Sequence, residues 1–338
     1  MLFSILYESF VRDVFPVHIS LTAGVVNTVF VVHIWYVKQV VGVYTFILIH
    51  TLFFLFYFIT AINGSVKTFV DVTIHEKKSK SLDHRAFALN GSEISNKTLI
   101  VSTSDGFFLL QVFVKDTSAP GSYEGFLGVP IEQMLRLESN ISVYEYIVAT
   151  VCSAGGYCQF AISALSNNTH ISIVFPEYLP EITICIGYLK FTTQGSTTIT
   201  LHQFDAVQFE STLDFTGTHI YSYKPIAVFV GSRKRVSGDP SHTIEQLVPS
   251  THWGQEVIVK ASSTETLLLK IVSNYPNTLV HLDGSDKDFV ITEQYQTVVR
   301  QLDSNGYAIV IKANQTIQVG YSFISVDNST VHTLVKVL

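Results

Sequence analysis

Residues 214–231 read DFTGTHIYSYKPIAVFVG, and residues 303–320 read DSNGYAIVIKANQTIQVG. The two segments align without a gap. Leu213 matches Leu302, Asp214 matches Asp303, Gly217 matches Gly306, Ile220 matches Ile309, Val230 matches Val319 and Gly231 matches Gly320. Each copy is a polar turn, a β-rich strand, a second turn and a second strand. A chain that writes such a segment twice is built from similar β units. A second echo has the same meaning. Ile131-Glu132-Gln133 is followed by Glu145-Tyr146-Ile147-Val148, and Ile244-Glu245-Gln246 by Glu256-Val257-Ile258-Val259. Together the echoes set a unit of about one hundred residues, running over about 131–243 and about 244–338. Residues 96–130 read as the last strands of an earlier, shortened unit.

The same texture extends beyond the repeat. From Lys97 onward the strand candidates are short, rich in Val, Ile, Thr, Phe and Tyr, and broken by Gly, Asn and Asp. Tyr144–Val151, Gln159–Leu165, Ile171–Phe175, Ile226–Val230 and Leu267–Val272 are examples. No clear helical periodicity follows residue 62. This predicts an all-β fold of tandem antiparallel sandwich-like units over 96–338.

The N-terminal part has a different composition. Of the 338 residues 47% are hydrophobic and 14% charged, and the apolar excess is concentrated in residues 1–62. Only Glu8, Arg12, Asp13 and Lys38 are charged there. Val40–Ile62 carries no Asp, Glu, Lys or Arg. As a helix it would reach about 34 Å, enough for a hydrocarbon core of about 30 Å. It is therefore expected to be a transmembrane helix or signal anchor, with cleavage after Ala61 as the alternative. Residues 15–37, within the N-terminal segment 1–39, form a weaker candidate span. Residues 63–95, with EKKSKSLDHR at their centre, read as a polar stalk.

Sidedness follows from opposing signals. Asn-X-Ser/Thr sequons occur at Asn63, Asn90, Asn96, Asn140, Asn167, Asn314 and Asn328, all after the apolar block. They favour a glycosylated C-terminal bulk outside the cell. Lys67, Lys77, Lys78 and Lys80 after the block, against Arg12 and Lys38 before it, favour the cytosol. The sequons and the β-rich composition carry the greater weight. The expectation is a single-pass membrane protein with an extracellular bulk, held in the membrane through 40–62, or else a secreted protein. The net charge of −6 argues against a nucleic-acid partner.

The chain has three cysteines, Cys152, Cys158 and Cys185. Cys152 and Cys158 flank Ser-Ala-Gly-Gly-Tyr, which reads as a hairpin loop, and could face each other across its strands. Cys158–Cys185 is an equal alternative, and three buried thiols a third. The twelve histidines never fall at metal-ligand spacing with cysteines or carboxylates. No nucleophile elbow, phosphate loop or dinucleotide fingerprint occurs. No catalytic residue, metal or cofactor is implied.

One ordered set of residues resembles a known family. Asp214-Phe215-Thr216-Gly217-Thr218-His219 is followed by Ser222 and then by Lys224-Pro225-Ile226-Ala227-Val228-Phe229. Glu245-Gln246-Leu247-Val248-Pro249 and Trp253-Gly254 come next. In order and spacing they are similar to the N-terminal domain of IgGFc-binding proteins, over roughly residues 96–330. The resemblance implies a non-enzymatic extracellular β domain of secreted or surface proteins, often mucosal or adhesive. Some members carry cysteines in the loop that corresponds to Gly231–Thr243; this chain has none there. No residue can be assigned to an antibody contact.

Read physically, these residues are structural. Gly217 and Gly231 suit a positive φ or a close backbone approach. Pro225 suits a strand start, and Lys224 can reach solvent from a half-buried edge. Trp253 is expected to be a core or inter-unit anchor. Glu245 and Gln246 are placed to bond a neighbouring loop. Function is expected on loops, above all Gly231–Ser241, which carries Arg233, Lys234, Arg235 and Asp239. The three consecutive basic residues also offer a site for proteolytic nicking. The expected work is binding or adhesion with an extracellular protein or glycan. A carbohydrate-binding module, which needs exposed aromatics on one face, is the alternative. A secreted hydrolase is the remaining one.

Overall fold

The computed structural model describes residues 14–22, 28–37, 56–63, 66–73, 89–103, 108–116, 123–131, 136–138, 141–150, 152, 156–233, 242–260, 265–283, 288–303, 308–325 and 331–332. They fall into two compact units, one of residues 1–88 with 97–128 and one of 89–96 with 129–338. The described residues are β-strands, turns and short 3₁₀ segments, without an α-helix.

The first unit holds two antiparallel sheets. Val14–Thr22, Thr28–Val37, Phe108–Asp116 and Tyr123–Gly128 pair in that order, and Val66–Thr73, Phe56–Asn63 and Leu99–Thr103 form the other. This corrects the weaker membrane span: residues 15–37 contain two strands of a hairpin. The stronger span is also not supported. Residues 40–55 lie outside the described residues, and 56–62 belong to the strand Phe56–Asn63. Among the described residues no helix is long and apolar enough to cross a membrane. Apolar runs rich in Val, Ile, Phe, Tyr and Thr satisfy a strand as well as a helix, and hydropathy alone does not separate the two. Within 63–95, read as a stalk, Val66–Thr73 and Glu93–Ser95 are strands.

The second unit carries the doubled segment. Its strands are β1 (Glu93–Ser95), β2 (Arg136–Glu138), β3 (Ile141–Ile147), β4 (Tyr157–Ala164), β5 (Thr169–Val174), β6 (Thr183–Ile186), β7 (Leu189–Thr192), β8 (Ser196–Leu201), β9 (Ala206–Ser211), β10 (His219–Ser222), β11 (Ile226–Arg233) and β12 (His242–Gln246). One sheet has the order β8-β5-β10-β3-β2 and a second the order β12-β11-β4-β9-β1, while β6 and β7 form a hairpin. Both sheets contribute to one apolar core. Ile171, Ile173, Ile199 and Ile220 from the first meet Phe160, Ile162, Phe209 and Val228 from the second. Phe160 stacks on Phe209 at 4.7 Å and meets Phe215 edge-on at 5.0 Å. Alternation along β5, with buried Thr169, Ile171 and Ile173, turns one face of each strand inward.

The pairing then repeats. The strands β13 (Gly254–Lys260), β14 (Glu265–Ser273), β15 (Thr278–Leu282), β16 (Phe289–Ile291), β17 (Thr297–Asp303), β18 (Ala308–Ser325) and β19 (Val331–His332) form one seven-stranded sheet. β13 and β15 flank the first part of β18 as β3 and β5 flank β10. β14 and β19 flank its second part as β4 and β12 flank β11. The two copies of the doubled segment differ at one point. In the first, Tyr223-Lys224-Pro225 breaks the chain into β10 and β11, which lie in different sheets. In the second, Lys312-Ala313-Asn314 lets it run on as the single strand β18. Proline cannot donate to a ladder and sets a strand start, which accounts for the break. The β6–β7 hairpin has no counterpart among the described residues of the second copy.

Candidate functional site

Three of the signature residues, Asp214, Gly217 and Trp253, lie where the two halves of the second unit meet. Asp214 lies in the turn before β10. Its Oδ1 accepts from the Thr216 amide at 3.1 Å, the Thr216 hydroxyl at 2.6 Å and the Thr150 hydroxyl at 2.7 Å. Its Oδ2 accepts from Nζ of Lys270, which comes from β14 in the other half. The same ammonium donates to the Thr150 carbonyl at 2.8 Å. The Lys270 side chain is 10% exposed and that of Asp214 48%. Burial alone would push the Asp214 carboxyl up. The Lys270 charge and the hydrogen bonds from Lys270, Thr216 and Thr150 outweigh burial and hold it below the ordinary carboxylate range.

Gly217, with φ of 90°, closes the turn. A methyl group there would lie 2.6 Å from the Tyr178 hydroxyl and 3.3 Å from the Tyr295 carbonyl. The Tyr178 hydroxyl donates to the Thr216 carbonyl. Beside this turn Trp253, 5% exposed, packs with Ile147, Val272 and Tyr295 and donates its indole N–H to the Val248 carbonyl at 3.1 Å. One carboxylate serves several partners here. Glu145 Oε2 accepts from the Ser250 hydroxyl at 2.6 Å, and Oε1 lies 2.9 Å from His219 Nε2 and 3.4 Å from the Tyr295 hydroxyl. Serine, histidine and carboxylate thus meet without a relay. The serine proton goes to the carboxylate, whereas nucleophilic catalysis needs it on the imidazole.

The remaining signature residues hold strands together. Lys224 is exposed, donates Nζ to the Asn167 carbonyl at 2.7 Å and donates its amide N–H to Ser222 Oγ at 3.1 Å. Pro225, half-buried before β11, accepts from the Leu165 amide at 3.2 Å. A methyl group on Gly231 would run into the Thr243 carbonyl of β12, so its requirement is close approach rather than a positive φ. Gln246 pairs with both main-chain groups of Val129, at 2.9 and 3.0 Å, and Glu245 is buried beside it. A methyl group on Gly254 would make only ordinary van der Waals contacts, its nearest neighbours being at 3.6 Å or beyond.

This arrangement spans the stretch that a family model, described as IgGFc binding protein, matches: residues 134–332. The chain belongs to the IgGFc-binding protein family. Comparisons with curated proteins and with solved structures return no match. The family match begins close to β2 and ends at β19, so it covers both halves and the joint between them.

In this family member the candidate loop lies mostly outside the described residues, which end at Arg233 and resume at His242. Lys234, Arg235 and Asp239 fall in that gap. Arg233 grips Glu210 with two nitrogens, at 3.1 and 2.7 Å, and lies 5.0 Å over the Tyr157 ring. The bond to Glu210 raises its affinity for the proton further. Cys152 and Cys158 form a disulfide, with Cα atoms 5.4 Å apart, and Cys185 is a free, exposed thiol. The bridge does not close a hairpin as the sequence suggested. β3 and β4 belong to different sheets, so it staples a crossover. Of the sequons, Asn90, Asn167 and Asn314 are exposed, Asn96 is half-buried, and Asn63 ends a strand; Asn140 and Asn328 lie outside the described residues.

Thr150, Tyr178, Lys270 and Tyr295 were not singled out from the sequence. Lys270 had a signal: it is a lone cation in the apolar run Leu267–Val272, which asks for a buried partner. The other three are ordinary turn or loop residues whose partners lie far away in the chain.

Proposed function

We propose that this chain is a binding protein that works outside the cell, with a doubled β scaffold as its rigid frame. The observation that carries the reading is the family match over 134–332, which covers the described scaffold. The Cys152–Cys158 disulfide supports it, since such bridges persist in oxidising compartments. Exposed sequon residues Asn90, Asn167 and Asn314 fit the same compartment. On this reading Asp214, Gly217 and Trp253 fix the two halves, the other signature residues hold strands and loops, and capture falls to loops and open faces. The β11–β12 loop is one proposed contact element, its stem zipped by the buried Ser232–Thr243 hydroxyl pair at 2.9 Å. The reading is binding rather than catalysis, because the Glu145 cluster is wired as a strut. A glycan is a second partner class, favoured by the exposure of Tyr223 beside half-buried Tyr221 and His219.

The full chain, expressed through the secretory pathway, should show an endoglycosidase-sensitive mobility shift and capture a partner from extracellular fluid. An immunoglobulin Fc fragment, suggested by the family's description, is the first defined probe. A chain that shows no mobility shift and stays inside the cell would sink the reading.

A further inference from the structure

We infer that the outward face of the β8-β5-β10-β3 sheet is a glycan platform for a neutral, hydroxyl-rich saccharide chain. The inference rests on the binding-protein reading above and gives it a site and a ligand class. Because side chains alternate along each strand, Ile171, Ile199 and Ile220 point into the core while their neighbours face out. Thr198, Ser172, Tyr221 and Glu145 share one row across the four strands. Thr200 and His170 pair in the next, their side chains 2.9 Å apart. Tyr223, two residues beyond Tyr221, is 65% exposed. The rings run on as a ribbon. Tyr221 lies 5.2 Å from His219, which stacks on Tyr295 at 4.6 Å. Tyr295 adopts φ of 64°, a conformation side chains seldom take, and holds its ring there.

The chemistry selects the occupant. Tyrosine rings offer flat apolar surfaces for the C–H faces of a pyranose, and their hydroxyls bond at the rim. Thr198, Thr200, Ser172 and the imidazole of His170 add donors and acceptors that match sugar hydroxyls. The charge of the face is complementary to a neutral ligand. Its one carboxylate among the described residues, Glu145, is already engaged by Ser250, His219 and Tyr295. Lys224, next to Tyr223, is turned to the Asn167 carbonyl. Anchors of protein interfaces are Trp, Tyr or Arg ringed by well-packed contacts that exclude water; here Tyr221 shares its row with the short hydroxyl side chains of Ser172 and Thr198.

Affinity electrophoresis of the full chain in gels containing mannan, β-glucan or galactan, with heparin as the anionic comparison, tests the inference. At least one neutral polysaccharide should retard the wild type. Tyr223→Ala and Tyr221→Ala should each weaken retardation about tenfold, while Tyr223→Phe stays within about twofold, since it keeps the ring. Unfolding midpoints of the Tyr223 variants should match the wild type. Retardation by heparin alone, or by neutral gels equally in wild type and alanine variants, would overturn the platform. If no neutral gel retards the chain but it still captures an extracellular protein, the platform falls and the binding-protein reading stands. If it captures neither, both fall. Protein capture that the tyrosine variants weaken would reassign the face to a protein partner and likewise overturn the glycan inference.

Discussion

Replacing Asp214 with asparagine should loosen the joint between the two halves without touching either core. The side chain keeps its size, so the turn with Thr216 can still form. The Lys270 ammonium, 10% exposed, is left with the Thr150 carbonyl and no counter-charge. Removing one partner of a fully buried pair costs about 3–5 kcal/mol, and an exposed pair contributes about 0–1 kcal/mol. Because the Asp214 side chain is 48% exposed, water screens this pair partly, and about 2 kcal/mol is the working figure. Lys270→Met removes the charge that needs a partner and should cost less. The double variant should then recover part of the loss, with a coupling of about 1 kcal/mol or more. Urea denaturation of the wild type and the three variants measures it, provided the m-values agree. Additivity of the two single changes, within about 0.5 kcal/mol, would refute the ion pair as the latch.

The same carboxylate makes stability depend on pH. Its folded pKa lies below the ordinary value, so its contribution is complete above the unfolded value of about 3.9 and fades as pH falls through the folded one; the gap between wild type and Asp214→Asn should close in acid, as read by urea midpoints between pH 6 and pH 2. Gly231→Ala should cost about 2 kcal/mol or more because a methyl meets the Thr243 carbonyl, whereas Gly254→Ala, whose methyl meets nothing closer than an ordinary contact, should stay within about 0.5 kcal/mol in the same assay. Alkylation of the unreduced folded chain should mark Cys185 alone, and reduction should expose Cys152 and Cys158, as mass spectrometry would show. The Cys152→Ser/Cys158→Ser variant should lose about 2 kcal/mol, the loop-entropy value for so short a bridge.

Much of the scaffold was legible because β signals are local. Alternation around Ile171 and Ile173, and Pro225 at a strand start, need no distant partner to be read. The doubled segment was legible for the same reason, and its copies occupy corresponding places in the strand pairing. What stayed hidden was set by distance along the chain. Thr150, Asp214 and Lys270 lie 56 to 120 residues apart in the chain and meet only through the fold, and nothing near Thr150 in sequence announces its role. The Cys152–Cys158 loop misled because a short Gly-rich spacer fits both a hairpin and a sheet-to-sheet crossover. Hydropathy misled at 15–37, where Val, Ile and Phe pack a strand as readily as they would line a membrane helix. The platform was foreshadowed only as a requirement for exposed aromatics; its ribbon depends on Tyr295, which is 74 residues beyond Tyr221 in the chain.

On the proposed division, the joint carries stability and the outward face carries capture. Neutral-polysaccharide retardation of Asp214→Asn and Tyr223→Ala, each checked for a folded circular dichroism spectrum, tests that division in one experiment. Asp214→Asn should be less stable yet retarded like the wild type, and Tyr223→Ala as stable as the wild type yet weakly retarded. A folded Asp214→Asn that has lost retardation, beside a Tyr223→Ala that keeps it, would overturn that division.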